Sequence, residues 1–181
     1  DKLFALLAGR DVSRVRLLPG GRCPAEVCLG SSELRRLYPP ERFAPAWLDG
    51  HRFLEEQGAP RLTAADLVQD LEQGMPVADP DLALQVLSEA APEVRLRACR
   101  LPLFPCQDDQ RHPLALLSDD WTGAVVPGHE ALAAHYRGKR PLLDRPMPAW
   151  RPVSLDFGVL VSDLNAGRLD EIPHELLEQG W

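Results

Sequence analysis

Cysteine has the clearest capacity for chemistry in this chain, because its four cysteines fall into two local pairs. Cys23 and Cys28 flank four residues of a predicted strand, and Cys99 and Cys106 flank the six residues that include Leu101 to Pro105. Four thiolates would suit tetrahedral zinc, but structural zinc motifs usually hold about two to four residues between paired ligands in a tight turn. We therefore expect four reduced cysteines that pack as small apolar residues, with zinc or a redox pair as the alternative.

Histidine and aspartate could also support metal chemistry. His129 and His135 resemble the two ligands of a metalloprotease helix, but such ligands lie four residues apart, and a separation of six places them on opposite sides of a helix. The adjacent acids Asp108-Asp109 and Asp119-Asp120 could bind a divalent cation, although acids in a polar turn more often cap neighbouring amides. No catalytic residue, metal site or cofactor is predicted from these patterns.

Tryptophan and a basic cluster are the candidate partner-binding features. Trp47 and Trp150 occupy matching places in the two halves, where we expect large rings buried between neighbouring elements, or alternatively a partner-binding surface. Arg137, Lys139 and Arg140 form a local patch of positive charge that is either a solvated loop or a docking site for an acidic partner or a phosphate. These five residues are the predicted partner-binding residues.

The elements that would position these residues are short. The pattern predicts a helix over residues 1–9, a β-hairpin of residues 12–18 and 25–30, and a short helix capped by Ser31 or Ser32. Further helices are predicted through Phe53, after a Thr63 capping box and after Asp79. In the second half, strands are predicted at 94–103 and 114–117, with helical segments at 129–136 and within 150–164.

Several of these signals recur in the same order in both halves. The first half contains Arg16-Leu17-Leu18-Pro19, Leu34-x-x-x-Tyr38, Trp47 and Leu67-Val68-x-Asp70-Leu71-x-x-Gly74; the second contains Arg100-Leu101-Pro102, Leu132-x-x-x-Tyr136, Trp150 and Leu160-Val161-x-Asp163-Leu164-x-x-Gly167. The order predicts an internally duplicated α+β unit of a β-hairpin plus short helices. We expect repeat units at 1–78 and 79–181 that share a core, with one continuous domain as the alternative.

Composition narrows the classes of function. A chain of 181 residues with 45% hydrophobic residues can bury a substantial core. Its formal charge of −7 opposes binding to nucleic acid and anionic membranes. No apolar stretch is long enough to cross a bilayer, and the N-terminal apolar run is too short for a signal peptide. We expect a soluble, cytoplasmic segment of a longer protein.

The order of short motifs resembles the repeat regions of sacsin-like proteins, which join a heat-shock-chaperone-type ATPase domain to long repeated segments. The resemblance lies in Leu17-Leu18-Pro19-Gly20-Gly21, in Leu101-Pro102-Leu103-Phe104-Pro105, in Trp47 followed by Phe53-Leu54-x-x-x-Gly58, and in Leu62-Thr63-x-x-Asp66-Leu67. The chain departs from the ATPase domain of such proteins, since it contains no Asp-x-Gly-x-Gly motif and no glycine-rich nucleotide lid. The resemblance implies a non-catalytic, chaperone-like or scaffolding region.

Two functions follow as expectations. The first is a non-catalytic protein-interaction or chaperone-associated module that binds a protein partner or the remainder of a longer chain. The second is a small metal-dependent hydrolase whose site is assembled from dispersed residues: His112, Asp119, Asp120, His129 and His135. The absence of a nucleophile elbow, a P-loop and a dinucleotide-binding glycine motif favours the first.

Overall fold

The structure is a computed structural model that describes residues 6–7, 9–49, 52–114, 124, 137–145 and 147–150. The chain divides into two compact units, Asp1–Val86 and Leu87–Trp181, here called unit 1 and unit 2. The described residues contain α-helices and a two-stranded antiparallel sheet, which confirms the predicted α+β class. None of the helices in this part of the chain is both long and apolar enough to cross a bilayer.

The regular elements in the part of the chain that the structure describes are short. The helices are α1 (Ser32–Leu37), α2 (Arg52–Glu56), α3 (Ala64–Glu72), α4 (Pro80–Ser88) and α5 (Pro92–Ala98), and the strands are β1 (Phe104–Pro105) and β2 (Arg111–His112). Single turns of 3₁₀-helix lie at Pro19–Gly21, Pro24–Glu26, Pro40–Arg42, Ala46–Leu48 and Pro148–Trp150. Every one of these five turns contains a proline or directly follows one, as expected for a residue whose φ is already fixed near the helical value.

Side-chain caps place the helix starts where the sequence predicts them. The Ser31 hydroxyl accepts a hydrogen bond from the backbone N–H of Leu34 at 3.3 Å at the start of α1. At the start of α3, Thr63 and Asp66 form a reciprocal capping box, in which the Thr63 N–H donates to the Asp66 carboxylate at 2.8 Å. Asp79 caps α4 by accepting from the Leu82 N–H at 2.9 Å.

The predicted hairpin of unit 1 is wrong. Residues 12–18 do not form a strand: residues 13–15 are turn or bend, and Leu18 makes an isolated antiparallel bridge to Arg22. The Gln57 side chain bonds the backbone at the start of this segment, since its Oε1 accepts from the Val12 N–H at 2.6 Å and its Nε2 donates to the Arg10 carbonyl at 2.9 Å. The segment at Cys28 and Leu29 instead makes isolated parallel bridges to Phe43 and Arg61.

These bridges place an extended segment at the centre of unit 1. The Cys28 N–H donates to the Arg42 carbonyl at 2.8 Å, and the Leu29 N–H donates to the Pro60 carbonyl at 2.8 Å. Leu29 is fully buried within the unit 1 core. That core consists of Val12, Leu18, Val27, Leu29, Ala44, Leu48, Phe53, Leu54 and Ala59. Pro60 stands where the next N–H of the Leu29–Arg61 pairing would be needed, and proline has no N–H to extend a ladder.

The strand predicted at 94–103 is also wrong, because residues 92–98 form α5. Pro92 occupies the first helical turn with Glu93, while Arg95 and Arg97 lie in the last turn, an arrangement that suits the helix dipole at both ends. The alternation of apolar and basic residues therefore belongs to a short helix. β1 pairs with β2 instead, with Phe104 opposite His112 and Pro105 opposite Arg111.

Other predictions lie wholly or largely outside the described residues. These are the helices at 1–9 and 129–136 and the segments at 114–117 and 150–164. The internal duplication consequently stays a prediction. The division between the units falls within α4, whereas the sequence placed the boundary between residues 78 and 79, ahead of that helix.

The tightest packing in unit 1 predicts a measurable steric cost. A Cβ added at Gly30 would lie 2.9 Å from Cε1 of the buried Phe43 ring. We expect Gly30→Ala to lower the free energy of unfolding by about 1–3 kcal/mol, because the ring must shift within a packed core. Urea denaturation followed by circular dichroism measures this change.

A double-mutant cycle supplies the control for this prediction. In a Phe43→Leu background the ring is absent, so the added methyl of Gly30→Ala should cost less than half as much. An equal cost in both backgrounds would contradict the proposed contact.

Candidate functional site

The turn between β1 and β2 in unit 2 brings together three residues with chemical potential. Cys106 directly follows β1, Asp108 lies in the turn, and His112 ends β2. The turn is closed by backbone bonds from the Cys106 N–H to the Gln110 carbonyl at 3.0 Å and from the Asp109 N–H to the Cys106 carbonyl at 3.1 Å. Asp109 adopts a left-handed conformation with φ of 60°, which aspartate tolerates better than most residues.

Backbone pairing joins this turn to a segment that is distant in sequence. The Gln107 N–H donates to the Leu142 carbonyl at 2.9 Å, and the Asp144 N–H donates to the Pro105 carbonyl at 3.1 Å. The Gln107 side-chain amide adds a bond to the Leu143 carbonyl at 3.2 Å. Because residues 137–140 immediately precede this paired segment, the pairing holds the predicted basic cluster beside the turn.

The turn and the basic cluster line an open surface depression of about 440 Å³, here called the basic groove. It is lined by Gln107, Asp108, Arg137, Gly138, Lys139, Arg140, Pro141 and Leu142. The side chains of Arg137 and Lys139 are exposed, while Arg140 is buried. The exposed cations Arg137 and Lys139 outnumber Asp108, the one carboxylate among the lining residues, on a chain whose formal charge is −7.

A second feature of the turn is a set of three metal-ligating side chains, here called the donor cluster. One donor atom each from Cys106, Asp108 and His112 lie within 4.8 Å of one another. His112 Nε2 lies 2.8 Å from Asp108 Oδ2, and the other Asp108 oxygen accepts the Gln110 N–H at 3.1 Å. In the part of the chain that the structure describes, these three side chains are the ones grouped so that they could hold one metal ion.

The protonation of the donor cluster follows from its surroundings. Burial raises the pKa of the Cys106 thiol to about 12, and the negative charges of Asp108 and Asp144 act in the same direction. The hydrogen bond to the His112 side chain lowers the pKa of Asp108 below its ordinary value. Near neutral pH, Cys106 is therefore a neutral thiol beside an ionised carboxylate.

The structure separates the predicted partner-binding residues. Arg137, Lys139 and Arg140 all line the basic groove of unit 2. Trp47 lies in unit 1 with 67% of its surface exposed, so the expectation that it is a buried anchor is wrong. Trp150 is only 2% exposed and packs edge-to-face on Phe104 with ring centroids 5.0 Å apart, so it is a packing residue of unit 2 and its ring offers a partner no surface.

The predicted cysteine environments are mostly confirmed. Cys23, Cys99 and Cys106 are buried, Cys28 is partly exposed, and none of the four is in a disulfide. The sequence does not predict the donor cluster, because its patterns pair the cysteines with one another and group His112 with acids and histidines further along the chain. The available signal was the spacing Cys106-x-Asp108-x-x-x-His112 around a polar turn.

The dispersed hydrolase site can be traced only in part. His112 belongs to the donor cluster, whereas Asp119, Asp120, His129 and His135 lie outside the described residues.

Asp70, which belongs to the sequence pattern that recurs in the two halves, accepts bonds from the Tyr38 hydroxyl and from Arg42, both at 2.9 Å. It ties α3 to the chain that follows α1.

Comparison with known proteins finds no match: no family model fits the chain, and no curated protein or solved structure is significantly similar to it. The function of the chain must therefore be argued from its own residues.

The contrast between the two tryptophans gives a stability prediction. Trp150→Ala removes a buried ring and should lower the free energy of unfolding by about 3–5 kcal/mol. Trp47→Ala removes an exposed ring and should change it by about 0.5 kcal/mol or less. Denaturant titration of both variants measures the difference, and a loss at Trp47 equal to that at Trp150 would contradict the exposure assigned to Trp47.

Proposed function

We propose that this chain is a non-catalytic protein-interaction module whose basic groove binds an acidic segment of a partner protein or of a longer chain that contains it. The observation that carries the proposal is the gathering of Arg137, Lys139 and Arg140 into one pocket with a defined opposite wall. A solvated basic loop would have no such wall.

The electrostatics of the groove favour an anionic occupant. Arg137 and Lys139 present their charges to solvent, where they can pair with carboxylates at a modest desolvation cost. Asp108 opposes them as the one carboxylate among the lining residues. The rest of the chain is acidic and repels an acidic partner from other parts of the surface. The groove therefore attracts the partner locally and orients it as it approaches.

The walls of the groove favour a peptide over a small ion. Its volume of about 440 Å³ lies within the range of about 300–1,000 Å³ that is usual for ligand pockets. Pro141 and Leu142 add apolar surface next to the cations, and Gly138 leaves backbone exposed in a left-handed turn with φ of 76°. Mixed apolar and cationic walls suit a short acidic stretch that also carries apolar side chains.

Trp47 is a second candidate contact, within unit 1. A large aromatic ring that is 67% exposed can contribute contact area at low conformational cost when a partner covers it. The sacsin-like order of motifs supports placing such a module in a chaperone-associated protein, and that placement is part of the proposal.

A specific observation also favours the alternative of a small metal-dependent hydrolase. The donor cluster supplies a thiol, a carboxylate and an imidazole at one turn, which is the kind of ligand set that such an enzyme requires. A bound metal would be the first requirement of this alternative, and hydrolysis would need further groups from the chain.

A peptide-binding experiment tests the groove. A short fluorescent peptide of glutamate and glycine should bind the full chain more tightly than the same peptide with glutamine in place of glutamate, and the difference should shrink as salt is raised. Lys139→Glu should weaken binding of the acidic peptide by about tenfold, which corresponds to about 1.4 kcal/mol. Fluorescence anisotropy measures both effects.

The matched control is Arg14→Glu, which makes the same change in net charge at an exposed position of unit 1. It should leave peptide affinity within about twofold of the unmodified chain, because the lost attraction is local. Equal losses for the two variants, or equal binding of the acidic and neutral peptides, would contradict the proposal.

A further inference from the structure

The donor cluster carries an inference that is independent of acidic-segment binding. We infer that Cys106, Asp108 and His112 form a mononuclear zinc site at the β1–β2 turn, with its fourth position open to water or to a donor from a partner.

The chemistry of the ligands selects zinc. Thiolate, imidazole and carboxylate together suit Zn²⁺, a borderline ion that accepts sulfur, nitrogen and oxygen donors. Calcium and magnesium require oxygen donors, and a site with one carboxylate among its three ligands serves them poorly. A set of three protein ligands with one open position is the arrangement found in non-structural zinc sites.

The distances are close to those that a bound ion would impose. Ligand atoms around a tetrahedral zinc lie about 3.3–3.7 Å from one another, as follows from metal–ligand bonds of about 2.0–2.3 Å. The donor atoms of the cluster already lie within 4.8 Å of one another. Metal binding would replace two existing contacts by bonds to the metal: the 2.8 Å contact between His112 and Asp108, and the 3.5 Å bond from the Cys106 thiol to the Phe104 carbonyl.

The turn fixes the ligands before a metal arrives. Cys106 is held by two backbone bonds within the turn and by its bridge to Leu143, and it is buried. Asp108 is oriented by the bond from the Gln110 N–H to its second oxygen, which leaves the other oxygen directed at His112. Such outer bonds orient ligands in known metal sites.

The Cys106 thiol lies beside a carboxylate. A ligand oxygen of Asp108 is within 4.8 Å of its sulfur, so a thiolate at Cys106 would be repelled by that carboxylate. A divalent ion offsets this repulsion and stabilises the thiolate, so binding releases the thiol proton to solvent: the sulfur–hydrogen bond breaks and a sulfur–zinc bond forms.

Metal titration of the full chain tests the inference. After removal of metals with a chelator, the chain should bind one equivalent of Zn²⁺ in competition with a chromophoric chelator. Co²⁺ in place of zinc should produce ligand-field absorption together with a thiolate-to-cobalt charge-transfer band. Cys106→Ser should abolish that band, and both Cys106→Ser and His112→Ala should weaken zinc binding by at least about tenfold, since even outer-shell changes cost about 10–100-fold.

The matched control is Cys28→Ser, which makes the same substitution at a partly exposed cysteine of unit 1 and should leave both metals bound as before. Lys139→Glu should also leave zinc binding within about threefold, which separates this site from acidic-segment binding. If Cys106→Ser fails to fold, as judged by circular dichroism, His112→Ala decides the question, because the His112 ring is partly exposed. No binding at one equivalent, a cobalt spectrum without the charge-transfer band, or unchanged zinc affinity in His112→Ala would overturn the inference.

Discussion

Backbone pairing between residues 105–107 and residues 142–144 is the constraint on which the chemistry of unit 2 depends. It is made by the Cys106–Leu143 bridge together with the bonds of Gln107 and Asp144 to the opposite segment. The same few bonds fix the turn that forms one wall of the basic groove and place the basic cluster opposite that wall. They also keep Cys106 in its buried position. Asp108 belongs to both the groove and the donor cluster, so an anionic partner and a cation would meet at adjacent positions.

Unit 1 solves the related problem of satisfying an irregular backbone without a sheet. Its central segment at Cys28 and Leu29 bonds on both sides, but each pairing stops after one bridge. Side chains supply the remaining partners: Gln57 bonds the backbone of residues 10 and 12, and Arg35 donates to the Ala44 carbonyl at 2.6 Å while pairing with Asp49. Buried backbone groups are thus satisfied although little regular structure is present.

Local signals in the sequence predicted the features that depend on neighbouring residues. Ser31 and Thr63 cap helices as their types and spacing indicate, since a cap involves only the next three residues. The strands at 12–18 and 94–103 were mispredicted for different reasons. In the first, local bonds such as that from the Val15 N–H to the Val12 carbonyl turn the chain, and the distant Gln57 side chain bonds the Val12 N–H. In the second, the proline-led start of α5 outweighs a short alternation of apolar and basic residues.

The candidate site also has features that depend on neighbouring residues and features that depend on distant ones. The basic cluster could be predicted from the sequence because its residues are adjacent. The opposite wall of the groove could not, because it depends on a pairing between segments about 35 residues apart, which composition and periodicity do not encode. The donor cluster was local enough to be found, and it was overlooked because a thiol, a carboxylate and an imidazole match no familiar motif. The two tryptophans occupy matching sequence positions and yet differ in exposure, since burial depends on what the rest of each unit places over the ring.

The central claim is that the turn and the basic cluster form one binding site for an acidic segment. Nuclear magnetic resonance of isotope-labelled full chain, titrated with an acidic peptide, tests it most directly by reporting each backbone amide. The account predicts shifts concentrated at Gln107, Gly138, Lys139 and Leu142, with the buried amide of Leu29 in unit 1 unmoved. Shifts that avoid both walls of the groove, or that appear on one wall alone, would contradict it.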